Sequence, residues 1–272
     1  MRVAAIQMES VPGRPYENLE KAEERIRLAA GEGARLIVLP ECALNGYDIS
    51  WFQNGAAGSL PFPDPIFDRI SYLSGQLGTA IAFADLEESG EGFYDSELIF
   101  DTGVLVSKHR KMTPTSHELE SGILAGDRPA SPVLLSGTGL AVAPMVCFEY
   151  AFPEIALHLA GEGADLIVIS SAIRRSFEYL IPVRLRARAQ DNACYVVMAN
   201  AISSEHCGNS MIVNPLGDIV SSASQPLAET IFAEIDQAAV EAARPEAAPT
   251  KRDHLAVAGK LRKAAPGGAG GG

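Results

Sequence analysis

No apolar run in this 272-residue sequence approaches the ~18 residues that a membrane-spanning helix needs. Positive charge is scarce: 22 Lys and Arg stand against 34 Asp and Glu, a formal net charge of −12. A chain this acidic has no electrostatic footprint for nucleic acid or an anionic membrane, so neither is expected as a partner. Cysteine is limited to Cys42, Cys147, Cys194 and Cys207, with no Cys-x-x-Cys pair and no histidine at zinc-finger spacing, so no metal site is expected. A Gly-x-Ser-x-Gly elbow, a P-loop and a His-Glu-x-x-His motif are all missing, which removes the marks of the common serine, phosphate and zinc chemistries. The five histidines, His109, His117, His158, His206 and His254, lack a compelling Cys-His-Asp context. The opening residues lack the longer apolar stretch and cleavage site of a signal peptide, so a cytoplasmic protein with four reduced thiols is expected.

What is present suits a soluble globular fold: 47% hydrophobic and 21% charged residues. A single domain over residues 1–245 is expected, with 246–272 as an extension whose Gly/Ala-rich end is disordered. The pattern alternates strands and helices. Val3 to Met8 reads as a buried strand, and Tyr16 to Ala30 places Leu19, Ala22, Ile26 and Ala29 on one helical face. Leu36 to Leu39 is a second buried strand ending at Pro40-Glu41. A helix near Pro65 to Leu77 precedes a strand over Thr79 to Ala84. Ser96 to Phe100 and Val104 to Ser107 resemble a hairpin, so the sheet is mixed. Met112 to Pro132 reads as irregular. Strands follow at Val133 to Leu135, Leu140 to Val146, Ala164 to Ser170 and Tyr195 to Ala199, with helices at Pro153 to Gly161 and Val183 to Asn192. Ser210 to Val213 and Ile219 to Ser222 form another hairpin-like pair, and Thr230 to Ile235 is the last strand.

One internal echo carries further. Ala30-Gly31-Glu32-Gly33-Ala34-Arg35-Leu36-Ile37-Val38-Leu39 returns as Ala160-Gly161-Glu162-Gly163-Ala164-Asp165-Leu166-Ile167-Val168-Ile169. Each copy is a helix end, a glycine cap and a buried strand. Two related halves packed face to face would bring Glu41 towards Ser171 and Ala172 at the carboxyl edge of the sheets, where α/β proteins place their sites.

Three residues stand out against that frame. Cys147 follows an apolar strand and precedes Phe148-Glu149-Tyr150-Ala151-Phe152-Pro153. A thiol at a strand-to-helix turn projects from the sheet edge, and a following helix would lower its pKa. Glu41, if held in a cleft, suits a general base with a raised pKa. In Lys108-His109-Arg110-Lys111, one fixed cation would stabilise a tetrahedral intermediate, though nothing internal selects Lys111 over Lys108 or Arg110.

Leu39-Pro40-Glu41, Arg110-Lys111 and Val146-Cys147-Phe148-Glu149 with Phe152-Pro153-Glu154 resemble, in order, the three signature blocks of the nitrilase superfamily, the carbon–nitrogen hydrolases. Ala4-Ala5-Ile6-Gln7, the block from Arg186 to Asn200 and Gly208 to Gly217 extend the resemblance over nearly the whole chain. The resemblance implies a four-layer α/β/β/α sandwich with two mixed sheets. It implies Glu41 as general base, Lys111 as oxyanion stabiliser and Cys147 as nucleophile of a thioester pathway without metal or cofactor. The Phe148 backbone N–H would help form the oxyanion hole. It also implies a homodimer through the helices near the nucleophile. The family places a second glutamate between the lysine and the nucleophile; Glu120 fits its Glu-x-Gly pattern better here, and Glu118 is the alternative.

The resemblance also bears on substrate. Nitrile-hydrolysing members typically carry Cys-Trp-Glu, so Phe148 favours a small amide or carbamoyl substrate over a nitrile. Ser171, Ala172 and Arg174 lie on the loop where the family lines its pocket, and Arg174 or Arg175 would bind a substrate carboxylate bidentately. A true nitrilase, a Cys-His hydrolase and a non-catalytic binding protein with the same fold are the competing readings.

Overall fold

The computed structural model describes residues 1–48, 60–61, 65–90, 92–224 and 226–247. Its layering starts in the first strand, β1 (Arg2–Gln7), which is buried on both faces. Ala4 and Ile6 face a core shared with helices α1 (Pro15–Gly31) and α2 (Pro65–Leu77), where Leu19, Ala22, Ile26, Ile66, Ile70 and Leu73 lie. Val3 and Ala5 face the opposite way, into a core shared with Val142, Leu166, Val168 and Val197 of a second sheet. That second sheet covers its outer side with a third core, in which Met145, Ile167, Ile169 and Met198 meet Ile155, Leu159, Ile181 and Leu185. Period-two alternation in strands buried on both sides thus produces the expected four layers, α/β/β/α.

The first sheet joins β1 to β2 (Leu36–Val38), β3 (Leu60–Pro61), β4 (Ala80–Ser89), β5 (Gly92–Asp101), β6 (Val104–Arg110) and the late strand Glu229–Glu234. β1, β2 and β4 run parallel, while β4–β5 and β5–β6 are antiparallel hairpins. The second sheet holds β7 (Val133–Leu134), β8 (Ala141–Val146), β9 (Leu166–Ser171), β10 (Tyr195–Asn200), β11 (Met211–Val213) and β12 (Ile219–Ser222). It repeats the arrangement: β8, β9 and β10 are parallel, and β11 and β12 return antiparallel. The late strand, β13, pairs antiparallel with β1 as β7 does with β8. Both sheets are mixed.

The echo segments occupy matching places, β2 in one sheet and β9 in the other. Their ends meet: the Glu41 N–H donates to the Ser171 carbonyl at 3.3 Å, and Ser170 Oγ donates to the Leu39 carbonyl at 2.7 Å. The carboxyl edges of the two sheets therefore converge at Glu41.

Several boundaries differ from the sequence reading. β4 and β5 are ten-residue strands that continue beyond Ala84 and begin before Ser96 as one long hairpin. The stretch read as irregular holds α3 (Ser116–Glu120). Helices α4 (Pro153–Gly161) and α5 (Leu180–Asn192) stand where expected, α5 starting three residues early because Pro182 fits its first turn. A further helix, α6 (Gln237–Ala247), places Val240 and Ala243 in buried positions. The expected disordered extension lies, from residue 248, outside the described residues.

Candidate active site

Cys147 stands one residue beyond β8, at the start of a single 3-10 turn that leads into α4. Its φ is +38°, in the left-handed region. A non-glycine residue held there costs of order 1–3 kcal/mol, a strain that strand-to-helix elbows use to expose a nucleophile. Cys147 is half-buried, whereas Cys42, Cys194 and Cys207 are buried, and all four thiols are free.

Strand periodicity selects the lysine. β6 runs on to Arg110, so alternate residues of the basic cluster face opposite ways. Lys108 and Arg110 both bind Glu87 on β4, at 2.7 and 2.6 Å. His109 and Lys111 turn inward and are 1% exposed. His109 Nδ1 accepts from the Ala130 N–H, so the hydrogen sits on Nε2 and points at Glu149 Oε2, 2.8 Å away.

Lys111 Nζ lies 2.7 Å from Glu41 Oε1, 2.8 Å from Glu118 Oε1 and 3.1 Å from Asp95 Oδ2. Burial alone would strip its proton, but Glu41, Asp95 and Glu118 outweigh burial and hold the ammonium well above the usual lysine range. Glu41 follows Pro40 in a tight turn after β2. Gly46 closes that turn, its N–H donating to the Cys42 carbonyl at 2.7 Å. Its φ is +76°, and a Cβ there would stand 2.6 Å from the Pro12 nitrogen, so the turn requires glycine. Asp85 anchors the same turn by accepting from the Leu44 and Asn45 N–H groups at 2.6 and 3.2 Å.

The second glutamate is where the sequence reading and the structure part. Glu118 is 1% exposed and reaches the lysine, while the Glu120 side chain is 70% exposed and lies 3.9 Å from His117. The expectation that favoured Glu120 is corrected to Glu118. The reason is a capping box: Glu118 is the third residue of α3, its carboxylate accepting from the Thr115 N–H at 2.6 Å and its own N–H donating to Thr115 Oγ1. Thr115-x-x-Glu118 was the legible signal. Tyr47 adds a further hydrogen bond, donating to Glu118 Oε1 at 2.7 Å.

The thiol itself is not activated at rest. Burial, then the Glu41 carboxylate, push the Cys147 thiol well above its usual range against smaller pulls from Lys111 and the Ala172 N–H. Cys147 does not sit at the first turn of α4, where a helix end would lower its pKa: the rest of its own 3-10 turn and Phe152 stand between them. Cys147 therefore rests as a neutral thiol, which would need a base to act as a nucleophile.

Glu149 ties the site together. It accepts from the Met112 N–H, beside Lys111, at 2.8 Å, and from the Val146 N–H, beside Cys147, at 2.7 Å. A cavity of about 410 Å3 opens over Cys147, with Tyr47, Phe148, Ala172, Ile173 and Leu180 among its walls. Of the arginine pair, Arg174 lines it. Arg175 instead donates to the Ser203 and Ser204 carbonyls. Ser171 is buried beneath, its hydroxyl without a partner among the described residues. Arg184, which the sequence reading passed over, also lines the cavity and lies over the Tyr150 ring at 5.0 Å.

Known proteins share this architecture. The carbon–nitrogen hydrolase family model matches residues 2–245. A protein of Pseudomonas protegens described as a hydrolase in the pqqF 5′ region is 32% identical, over 82% of this chain and 79% of its own length. The omega-amidase NIT3 of Saccharomyces cerevisiae is 27% identical over 94% of each chain. Its crystal structure, described as Nit3 of branch 10 of the nitrilase superfamily, superposes with a TM-score of 0.81 over 90% of this chain and 93% of that one. An amidase of Nesterenkonia sp. AN1, bearing the acetamide moiety of fluoroacetamide on its active-site cysteine, has a TM-score of 0.79 at 23% identity, covering 90% of this chain and 96% of that one. A match across nearly the whole described fold, with a relative above 30% identity, makes this chain a member of the carbon–nitrogen hydrolase family, within the nitrilase superfamily.

Proposed function

We propose that the protein hydrolyses the C–N bond of a small non-peptide amide or carbamoyl compound through a thioester on Cys147. The observation that carries this reading is the Lys111 ammonium, clasped by Glu41 and Glu118 at 2.7 and 2.8 Å, in the site where Cys147 opens to the cavity. Glu41 takes the thiol proton as sulfur attacks the carbonyl carbon. The charge of the Lys111 ammonium and a hydrogen bond from the Phe148 backbone N–H stabilise the resulting oxyanion. Glu41 then returns the proton to the leaving nitrogen, and ammonia or an amine departs. Water attacks the thioester, Glu41 again accepting a proton, and the acid leaves with Cys147 restored as a thiol. Glu118 keeps Lys111 in place. Every proton is accounted for by these side chains, and no cofactor enters.

The cavity walls favour an apolar body, and Arg174 at its edge favours a carboxylate on the far end of the substrate. Among the described residues its ion-pair partner is the exposed Glu205, at 4.0 Å, a loose contact that leaves the guanidinium available for an anion. The omega-amidase description of the yeast relative agrees with an amide substrate. Intact mass spectrometry of the protein mixed with carboxylate-bearing amides, neutral amides, carbamoyl amino acids and nitriles tests this. An acyl adduct on Cys147 from amides is expected, and Arg174→Ala should raise KM for the acidic amides alone. Adducts from nitriles only, or no adduct from any member of the panel on protein whose Cys147 iodoacetamide alkylates readily, would overturn it.

The protein is also proposed to pair as a homodimer over α4 and α5, where Val183 on α5 is 65% exposed and Phe177 and Tyr179, just ahead of α5, are 50% and 68% exposed beside the site. Sedimentation should give twice the chain mass, reduced to one chain by Val183→Asp. Its free nucleophilic thiol suits a reducing compartment, the cytoplasm. Among the described residues, no helix is long and apolar enough to cross a membrane.

A further inference from the structure

Asp95, on β5, has no place in the reaction set out above, yet it is the third carboxylate on the Lys111 ammonium. Among the described residues, Glu41, Asp95 and Glu118 converge as ligands of a cation would, their nearest oxygens all within 4.8 Å of one another. The cation they hold is the chain's own, and its three N–H bonds are spent on the three acids. Three ionised carboxylates against one ammonium would leave two net negative charges buried together, a state that folded proteins avoid by binding a proton.

The oxygens left without donors limit where that proton can sit. Glu41 Oε2 and Asp95 Oδ1 are buried oxygens with no donor among the described residues, and their two side chains lie within hydrogen-bonding reach of each other. Two bare carboxylate oxygens repel. One proton between them turns the contact into a strong hydrogen bond. Asp95 is the better place for it: its oxygen stands 3.1 Å from the ammonium, against 2.7 Å for Glu41. Burial pushes the Asp95 carboxyl well above the usual carboxylate range, and Lys111 offsets only part of that.

We propose that Asp95 is a positioning residue, a carboxylic acid at rest that donates its proton to Glu41 and so fixes the base while leaving it ionised. This rests on the reading of Glu41 as general base. When thiol activation begins, the Cys147 proton passes to Glu41, the Asp95 proton stays on Asp95, and the net charge of the site does not change. The groups that face Asp95 are Glu41 and Cys42 from the turn after β2, Lys111 from the end of β6, and Glu118 from α3. A fully buried Asp95, farther from the ammonium, is thus set apart from Glu118, which Lys111 first, and then Tyr47 and the capping box, hold below the usual carboxylate range.

The test uses the full-length protein. Infrared spectra of native protein minus Asp95→Asn should show the carbonyl stretch of a protonated carboxyl group, moved to lower frequency in D2O. The rate of Cys147 alkylation by iodoacetamide, followed by intact mass across the pH range, gives the second arm. Asp95→Leu should slow it by about a hundredfold, the low end of what a well-placed base contributes. Asp95→Asn, a near-isostere of the neutral acid, should recover the rate to within about fivefold and lack one ionisation of the native profile. If Asp95→Leu does not fold, Asp95→Asn alone decides through the infrared band and the pH profile. No protonated-carboxyl band, or an Asn variant as slow as Leu, overturns the proposal with Glu41 untouched. Alkylation unchanged in Glu41→Gln overturns the role of Glu41, and the positioning role of Asp95 with it.

Discussion

At the scale of single residues, the site is decided by which acid reaches the lysine. Glu118 and Glu120 are two positions apart on one turn of helix, so only one of them faces inward. Glu118 spends one oxygen on Lys111 and Tyr47 and the other on the Thr115 N–H, and these hydrogen bonds, with the Lys111 charge, outweigh burial and hold its carboxyl below the usual range. Replacing it with Gln removes a charge from the ammonium and puts an amide N–H where acceptors are needed. Glu118→Gln should therefore lower kcat/KM by about 10²- to 10³-fold, the loss typical of a displaced electrostatic stabiliser. Glu120→Gln alters an exposed side chain and should stay within about twofold. Equal losses in steady-state assays of the two variants, on whichever amide acylates Cys147, would refute the assignment.

At the scale of elements, the site depends on two strand ends from different sheets being held in register. Glu149 does this, with one carboxylate accepting from the N–H beside Lys111, the N–H beside Cys147 and the ring of His109. Glu149→Ala would leave those buried donors without an acceptor, at about 1–3 kcal/mol for each unmet group. A lowered thermal midpoint is expected together with a fall in kcat larger than the change in KM, since Glu149 holds the strand ends without itself lining the cavity. An unchanged midpoint would show that the tie carries no load. Much of this architecture is legible in sequence: the helical spacing of Leu19, Ala22 and Ile26, the echo of β2 in β9, and the ordered blocks around Glu41, Lys111 and Cys147. What is not legible depends on pairing. The extent of β6 is hidden by its charged end, although alternation in a strand is what separates Lys111 from Lys108 and Arg110. Asp95 reads as an ordinary acid until register sets it beside Lys111, whose N–H donates to the Asp95 carbonyl at 2.8 Å. Short α3 is too brief for any periodicity, and only its capping box betrays it.

At the scale of the whole molecule, the space between the sheets holds acids as well as hydrocarbon. Glu97, on β5, is fully buried against Ser170 of β9, its Oε1 lying 2.9 Å from the serine hydroxyl oxygen, and its second oxygen has no partner among the described residues. Burial pushes its carboxyl well above the usual range, Ser170 offsetting only part, and Asp85 is raised by burial to about 6. A carboxyl whose folded-state pKa exceeds its unfolded value binds its proton more tightly when folded. Its contribution to stability is complete below the unfolded pKa, about 4 for these groups, and is lost as pH rises through the folded one. For Asp85 that window ends near pH 6, and for Glu97 it continues higher. Both act in the direction opposite to the usual acid denaturation, and the net charge of −12 adds self-repulsion as pH climbs. Glu97→Gln keeps the shape and an acceptor for Ser170 while removing the group that must either stay protonated or sit uncompensated. Denaturant unfolding should find it more stable than the native protein at pH 8, by about 1–3 kcal/mol, with the advantage shrinking towards pH 5. A variant destabilised equally at both pH values would mean that Glu97 is ionised and stabilised where it lies, and that the two sheets are joined by a charge they have found a way to solvate.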